Sequence, residues 1–299
     1  MRQNLVIVRG GRNSLHPRWL EGDGPRNWDL LLCPYEDGPP ESDFPVPAPI
    51  PGQKWLGLSR MLNASDVWRR YEYIWLPDDD LLADAAEISR FFDLCRRFNS
   101  TMAQPALTED SPFSIILTMR NRAFFARATT YVEIMAPCFR RDVLERVLPS
   151  FAEDATGWGW GLSYVWAKAV EYRGIHVFDA APVRHTRPVG SARSSRDHRI
   201  ARVRGARMLA AHKLASIKRT LFACDEAGNR LAMSDGQFLT AYIAGYGYLL
   251  ERNPRLLLRI AKDQLSTRAP GSPSPRSGRL RRWWRRLFWM PKARPNQNS

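Results

Sequence analysis

Apolar residues fall in short, nearly unbroken blocks along the first half of the chain. Leu5 to Val8 is one, running on through Arg9 into Gly10 and Gly11. Trp28 to Tyr35 is a second, interrupted early by Asp29, and Tyr71 to Leu76 a third, interrupted by Glu72. Blocks this short without alternation predict strands covered on both faces, as in an α/β sheet. Between the second and third lies a loop, residues 36–52, too rich in proline for helix or central strand. Gly52 to Tyr71 follows with Trp55, Leu58, Leu62 and Val67 on one side, which predicts a helix.

Further on, Leu81 to Phe98 predicts a helix and Thr101 to Leu107 a strand. Ser114–Asn121 and Thr129–Phe139 are further strand predictions. Gly157 to Gly174 opens as a Gly/Trp loop and becomes helical, and Ile175 to Gly190 is a strand with a polar end. The order β, β, α, β, α, then mixed strands indicates an α/β sheet with right-handed crossovers. Helices are predicted over Ala201–Leu221, Ser234–Leu249 and Pro254–Leu265, the last with Asn253 as cap. Ala269 to Ser277 is a Pro/Ser/Gly linker. The expected organisation is a sheet domain over 1–200, a helical extension over 201–268, and a linker with a basic tail over 269–299.

The third apolar block ends at Pro77 and three carboxylates, Asp78, Asp79 and Asp80. Alternation along an extended chain sends Asp78 and Asp80 to one side and Asp79 to the other. Carboxylates crowded at a strand end repel unless a cation lies between them, and such oxygen ligands suit Mg²⁺ or Mn²⁺. The plain alternative is that Asp78 or Asp80 caps the next helix. Lys54, at the start of the first helix, is either a phosphate contact or a solvated lysine. Arg9 and Arg12 sit where the Gly pair lets backbone approach a base or phosphate. Glu133 interrupts an apolar strand, and is either edge-exposed or placed in a cleft. His185 lies between Arg184 and Arg187, a setting that favours the neutral ring of a metal or phosphate site; a plain structural histidine is the alternative.

Composition narrows the classes. The chain has 299 residues, 44% hydrophobic, enough for a real core. Cys33, Cys95, Cys138 and Cys224 have no paired spacing, which argues against a zinc site or a disulfide framework and fits a reducing compartment. Leu5–Val8 is a strand-sized run, not a signal peptide, and no segment reaches transmembrane length. The net charge of +15 is concentrated at the end: nine basic residues and no acid follow Asp263, leaving 36 basic against 30 acidic in the rest. A nucleic-acid partner is therefore not expected. Arg279 to Met290 sets Leu280, Trp283, Trp284, Leu287 and Phe288 at helical spacing with arginines around them. That pattern predicts an amphipathic helix on an anionic membrane surface, with the protein cytoplasmic and peripheral to the inner membrane face.

Eight motifs stand in a fixed order: SLHPRWL, WDLLL, GQKWLGL, the strand ending in DDDL, AQPAL, YVEIMAP, WGLSYVW and VRHTRPVG. Together they resemble the family catalogued as "domain of unknown function 707", whose core looks like a GT-A glycosyltransferase. The resemblance covers roughly residues 5–190. It implies a GT-A-like, Rossmann-type mixed sheet flanked by helices. It also implies metal-dependent transfer from a nucleotide-diphosphate sugar to a glycan or lipid-linked acceptor in the cell envelope. By that resemblance Asp78, Asp80 and His185 hold Mn²⁺ or Mg²⁺. Arg9, Ser14, Lys54, Asp78 and Asp79 contact the nucleotide sugar, and Glu133 contacts or deprotonates the acceptor. One position departs from the family. Ser163 stands where the pattern has an aspartate, so Glu133, Glu153 or Asp154 would have to substitute. Otherwise the chain is a non-catalytic binding protein that keeps the donor fold.

Overall fold

The computed structural model describes residues 2–22, 24–189 and 196–265. Its centre is a mixed sheet with helices on both faces. The strands are β1 (Asn4–Val8), β2 (Trp28–Leu32), β3 (Tyr73–Trp75), β4 (Leu81–Leu82), β5 (Met102–Leu107), β6 (Ala126–Thr129), β7 (Cys138–Arg140), β8 (Ile175–His185) and β9 (Thr220–Cys224). They lie in the order β2-β1-β3-β7-β5-β8-β6-β9, with β4 pairing the end of β8. The pairs β1–β2, β1–β3 and β5–β8 are parallel, while β7 and β6 run against their neighbours. The carboxyl ends of β1, β2, β3, β5 and β8 therefore meet at one edge.

The helices are α1 (Lys54–Ala64), α2 (Ala85–Arg97), α3 (Arg141–Val147), α4 (Leu162–Ala169), α5 (Arg196–Ala211), α6 (Asp235–Ala244), α7 (Gly247–Arg252) and α8 (Leu256–Leu265). No helix of the described residues is long and apolar enough to cross a membrane.

Side-chain alternation along each strand feeds two apolar layers. In β1, Val6 and Val8 join Trp19, Trp75 and Phe91 on the face covered by α2, α6 and α7. Leu5 and Ile7 join Trp55, Phe139 and Trp166 on the face of α1, α3 and α4. Each such large side chain taken out of water contributes about 1.5–3 kcal/mol, which is why these blocks carry almost no polar residue.

Three of the departures from the sequence expectation have side chains as their reason. The segment Ser114–Asn121 is not a strand but a 3-10 turn over Ile116–Thr118. The carbonyls of Leu117 and Met119 accept from the Arg127 guanidinium and are not free for a ladder. The run Thr129–Phe139 breaks between β6 and β7. Within the break, the Glu133 amide donates to Gln104, and the Ile134 and Met135 carbonyls accept from Lys54. The predicted helix Leu81–Phe98 begins only at Ala85, where Asp84 and Glu87 form a reciprocal capping box. Leu81 and Leu82 instead form β4, so neither Asp78 nor Asp80 is a helix cap.

At the other end, Ala201–Leu221 resolves into α5 and then β9, which extends the main sheet beside β6. The described residues of 2–265 fall within one compact unit. The amphipathic helix predicted at 279–290 lies outside the described residues.

Candidate functional site

At the carboxyl edge of the sheet, three loops converge on the aspartate triplet. The chain leaves β3 through Leu76 and Pro77. Leu76 and Asp78 donate backbone N–H bonds to Pro137 (2.9 Å) and Met135 (2.7 Å), which holds the 133–137 loop against it. After Asp80 the chain pairs with the end of β8, Leu81 opposite His185. Strand β8 is long because its register against β5 jumps between Pro105 and Leu107, carrying its last residues past β5 to the triplet.

Each carboxylate has its own partner. Asp78 accepts from Lys54 Nζ at 2.7 Å, and that ammonium also donates to the Ile134 and Met135 carbonyls at 2.9 and 3.1 Å. All three Lys54 protons are thus committed. Asp79 accepts from Arg187 at 2.8 Å, from the Tyr35 hydroxyl at 3.2 Å and from the Gly11 amide at 3.4 Å. Asp80 Oδ2 lies 3.2 Å from His185 Nε2, while its Oδ1 is buried with no hydrogen-bond partner. The repulsion inferred from sequence is therefore relieved for Asp78 and Asp79 by side-chain cations. Burial raises the proton affinity of both, against the pull of Lys54 and Arg187 respectively. Burial also works against the charge on Lys54, and the three aspartates work for it; the net effect is a lowered pKa.

His185 Nδ1 lies 2.8 Å from the Pro112 carbonyl, which can only accept, so Nδ1 carries a proton and Nε2 faces Asp80. Burial disfavours the charged ring, but the hydrogen bonds to Asp80 and Pro112 and the charges of Asp80 and Asp78 together outweigh it, and the pKa is raised. The same arrangement suits a metal-binding histidine, whose other nitrogen is held by a carbonyl.

Glu133 stands near the same cluster, close enough for the charges of Asp78 and His185 to act on it. Its carboxylate is half-buried, 3.0 Å from the Thr118 hydroxyl. Thr118 has one proton and a second acceptor, the Ile115 carbonyl at 2.9 Å. When that proton goes to Ile115, the contact with Glu133 is a bond only if Glu133 holds a proton itself. Burial, with the negative charge of Asp78 adding to it, pushes Glu133 up to about 7, while Thr118, His185 and Lys218 pull the other way. A carboxyl group balanced near neutrality can take or give a proton at working pH.

The other predicted residues lie elsewhere. Arg9 is 4% exposed and spends its guanidinium on the carbonyls of Pro34, Ile50 and Gly52, at 3.1, 2.8 and 2.8 Å. It ties the Pro-rich loop to the sheet. A Cβ on Gly57 would sit 2.3 Å from Arg9 Cζ, so the guanidinium packs directly over this glycine. Ser14 is buried, its hydroxyl 2.7 Å from His16 Nδ1. The Gly pair serves packing: a Cβ on Gly11 would lie 2.3 Å from the Tyr35 ring, the ring whose hydroxyl reaches Asp79. Glu153 pairs with His212 at 2.7 Å, and Asp154 folds its own loop by accepting from Thr156 and Gly159. Ser163 is buried, its hydroxyl facing that of Tyr131.

Four participants escaped the sequence reading. Tyr35 and Arg187 hold Asp79, Thr118 holds Glu133, and Lys218 sits over the Tyr131 and Tyr164 rings at 5.5 and 5.3 Å. Arg187 had a visible signal, two residues from His185; the others had none. A separate surface recess of about 350 Å³, flanked by Arg90, Asp93, Arg97 and Glu226, contains none of these residues.

Among the described residues no group of three or more His, Cys, Asp or Glu is arranged to hold a metal. Two donors do fit one: the unpartnered Asp80 Oδ1 and His185 Nε2. Asp78 already shares its Oδ1 with Lys54.

No protein-family model and no curated protein matches the chain, so the resemblance to the "domain of unknown function 707" family rests on the motifs quoted above. Solved structures of S. aureus TarS are similar to it. The TarS 1-349 fragment aligns with 89% of this chain and 84% of its own at 12% identity and a TM-score of 0.42. The same fragment with UDP gives 11% and 0.43, and with UDP-GlcNAc 10% and 0.41, over the same shares. At that level the likeness assigns no role to any residue.

Proposed function

We propose that this cleft binds a nucleotide-diphosphate sugar and transfers the sugar to a hydroxyl acceptor, as a GT-A-like glycosyltransferase. The observation that carries the reading is Asp80. It is a buried carboxylate with one oxygen unpartnered and the other 3.2 Å from His185 Nε2, at the carboxyl edge where α/β sheets take their ligands. Asp80 and His185 are the residues that would hold Mn²⁺ or Mg²⁺. When bound, such an ion supplies charge neutralisation for a departing diphosphate.

The chain's own residues supply the rest. Arg187 is 41% exposed along its side chain and is the cation of the cleft most open to a phosphate. Lys54 fixes Asp78 and the 133–137 loop, which sets where Glu133 stands. Glu133, with its pKa near 7, takes the proton of the acceptor hydroxyl as that oxygen bonds to the sugar and the sugar's bond to the diphosphate breaks, the nucleoside diphosphate leaving with the electron pair. A second reading, a donor-binding protein without turnover, is favoured by Ser163, which offers no carboxylate at the start of α4.

Calorimetry with UDP and with GDP, in Mn²⁺ and in EDTA, tests the reading. Binding is expected to be strengthened by Mn²⁺ in wild type and to lose that dependence in Asp80→Ala with the fold intact. Equal binding in EDTA, or wild-type binding by Asp80→Ala, would remove the role given to Asp80. Hydrolysis or transfer of a bound nucleotide sugar separates the enzyme from the binder: turnover lost in Glu133→Gln supports the first, and absence of turnover in wild type the second.

A further inference from the structure

Helix α5 presents a surface that the transferase reading does not use. Its buried stripe is His198, Ala201 and Gly205. At 3.6 residues per turn, Arg196, Ile200, Val203 and Arg207 line up on the opposite side. There Ile200 is 40% and Val203 53% exposed. The helix carries five arginines, at 196, 199, 202, 204 and 207, against a single acid, Asp197.

The face is held firmly. A Cβ on Gly205 would lie 2.6 Å from Trp160 Cβ, so helix and Gly/Trp loop are in backbone-close contact. The His198 ring packs edge-on against Trp158 and Trp160 at 5.8 and 5.4 Å. Trp160 is itself 38% exposed. The same loop reaches α1, where the Trp55 amide donates to Gly157 at 3.1 Å, next to Lys54 of the cleft.

A polyanion such as nucleic acid would satisfy the arginines and leave two branched aliphatics in water. An anionic lipid surface satisfies both, arginine at the phosphates and aliphatic carbon at the acyl boundary. We propose that the outward face of α5 docks on an anionic bilayer. The face belongs to the body of the protein, and it joins through the Trp158–Trp160 loop to the elements around Glu133 and Asp78. A bilayer there would bring a membrane-borne acceptor to the cleft. The proposal stands independently of the transferase reading.

Flotation of the full-length chain with phosphatidylglycerol:phosphatidylcholine (1:1) vesicles, and with phosphatidylcholine alone, tests it. Wild type is expected to float with the anionic vesicles only. Arg196→Gln with Arg207→Gln should weaken partition about thirtyfold, the factor two arginine–lipid contacts carry. Ile200→Ser with Val203→Ser, which leaves charge unchanged, should weaken it about tenfold. Both variants should melt as wild type does and bind UDP as it does, since they touch neither core nor cleft. Undiminished flotation of both would assign any membrane binding to other parts of the chain and overturn the proposal. Loss in the arginine variant alone would also overturn it, leaving a surface for a polyanion; a duplex RNA retained by wild type and lost by that variant would identify which.

Discussion

The ionisation of Glu133 can be tested without any substrate. Its carboxyl titrates near 7 instead of the ordinary 4.5, chiefly because burial opposes its charge, with Asp78 adding to the effect. At 1.36 kcal/mol for each tenfold change in proton affinity, that corresponds to about 3 kcal/mol of discrimination between the two forms. The sign follows from linkage. The folded protein holds this proton more tightly than the unfolded chain does, so folding is penalised wherever the unfolded chain has released it. The penalty is absent below about pH 4.5, grows as pH rises, and is complete above pH 7. Glu133→Gln cannot ionise and still offers Thr118 an acceptor. The variant should match wild type near pH 4 and exceed it above pH 7 by up to about 3 kcal/mol, less as water reaches the half-buried group. Urea unfolding of both proteins from pH 4 to 8.5 reads the difference directly. In the same series Lys218→Met should move the wild-type midpoint further upward, because Lys218 favours the carboxylate. Stability curves for wild type and Glu133→Gln that run parallel across this range would refute the perturbed carboxyl, and with it the argument that Glu133 is poised as a base.

Other expectations concern the frame around the cleft. Arg127 and Asp179 form a bidentate pair, 0% and 1% exposed, with bonds of 2.7 and 2.8 Å, and Arg127 also donates to Tyr246 and to the carbonyls of Leu117 and Met119. Arg127→Met leaves a buried, unpaired carboxylate and should cost about 3–5 kcal/mol in chemical denaturation; a loss below 1 kcal/mol would show that the site relaxes or admits water. Asp84→Ala removes half of the capping box of α2 and should cost about 1 kcal/mol in the same assay. Gly11→Ala should displace the Tyr35 ring and weaken its bond to Asp79, seen as a fall in the phenol pKa from about 12 by ultraviolet titration; an unchanged titration would show that the loop yields instead.

What the sequence determined is what short-range chemistry controls. The strands at residues 4–8, 28–32, 73–75, 102–107 and 175–185 were legible because apolar blocks of that length have few alternatives. The Asp triplet was legible as a strand-end cluster because Pro77 ends the strand it follows. The sequence also named Asp80, His185 and Glu133, which the fold brings near one another. It could not assign partners, since a partner is a matter of distance across the chain. Lys54 and Arg9 look alike in sequence, as cations near a loop, yet one reaches a carboxylate 24 residues away and the other is absorbed by the carbonyls of a proline-rich loop. Strand predictions failed at 114–121 and across 129–139 because Arg127, Lys54 and Gln104 claim the backbone groups a ladder would need. Strand β9 was not predicted, the helix read over 201–221 running only into its first two residues, since it has little to gain until β6 offers it an edge. Local patterning fixes which segments must be buried; only the closed tertiary structure decides which buried polar group answers which, and that pairing leaves Asp80 Oδ1 unpartnered beside His185 while its neighbours are neutralised.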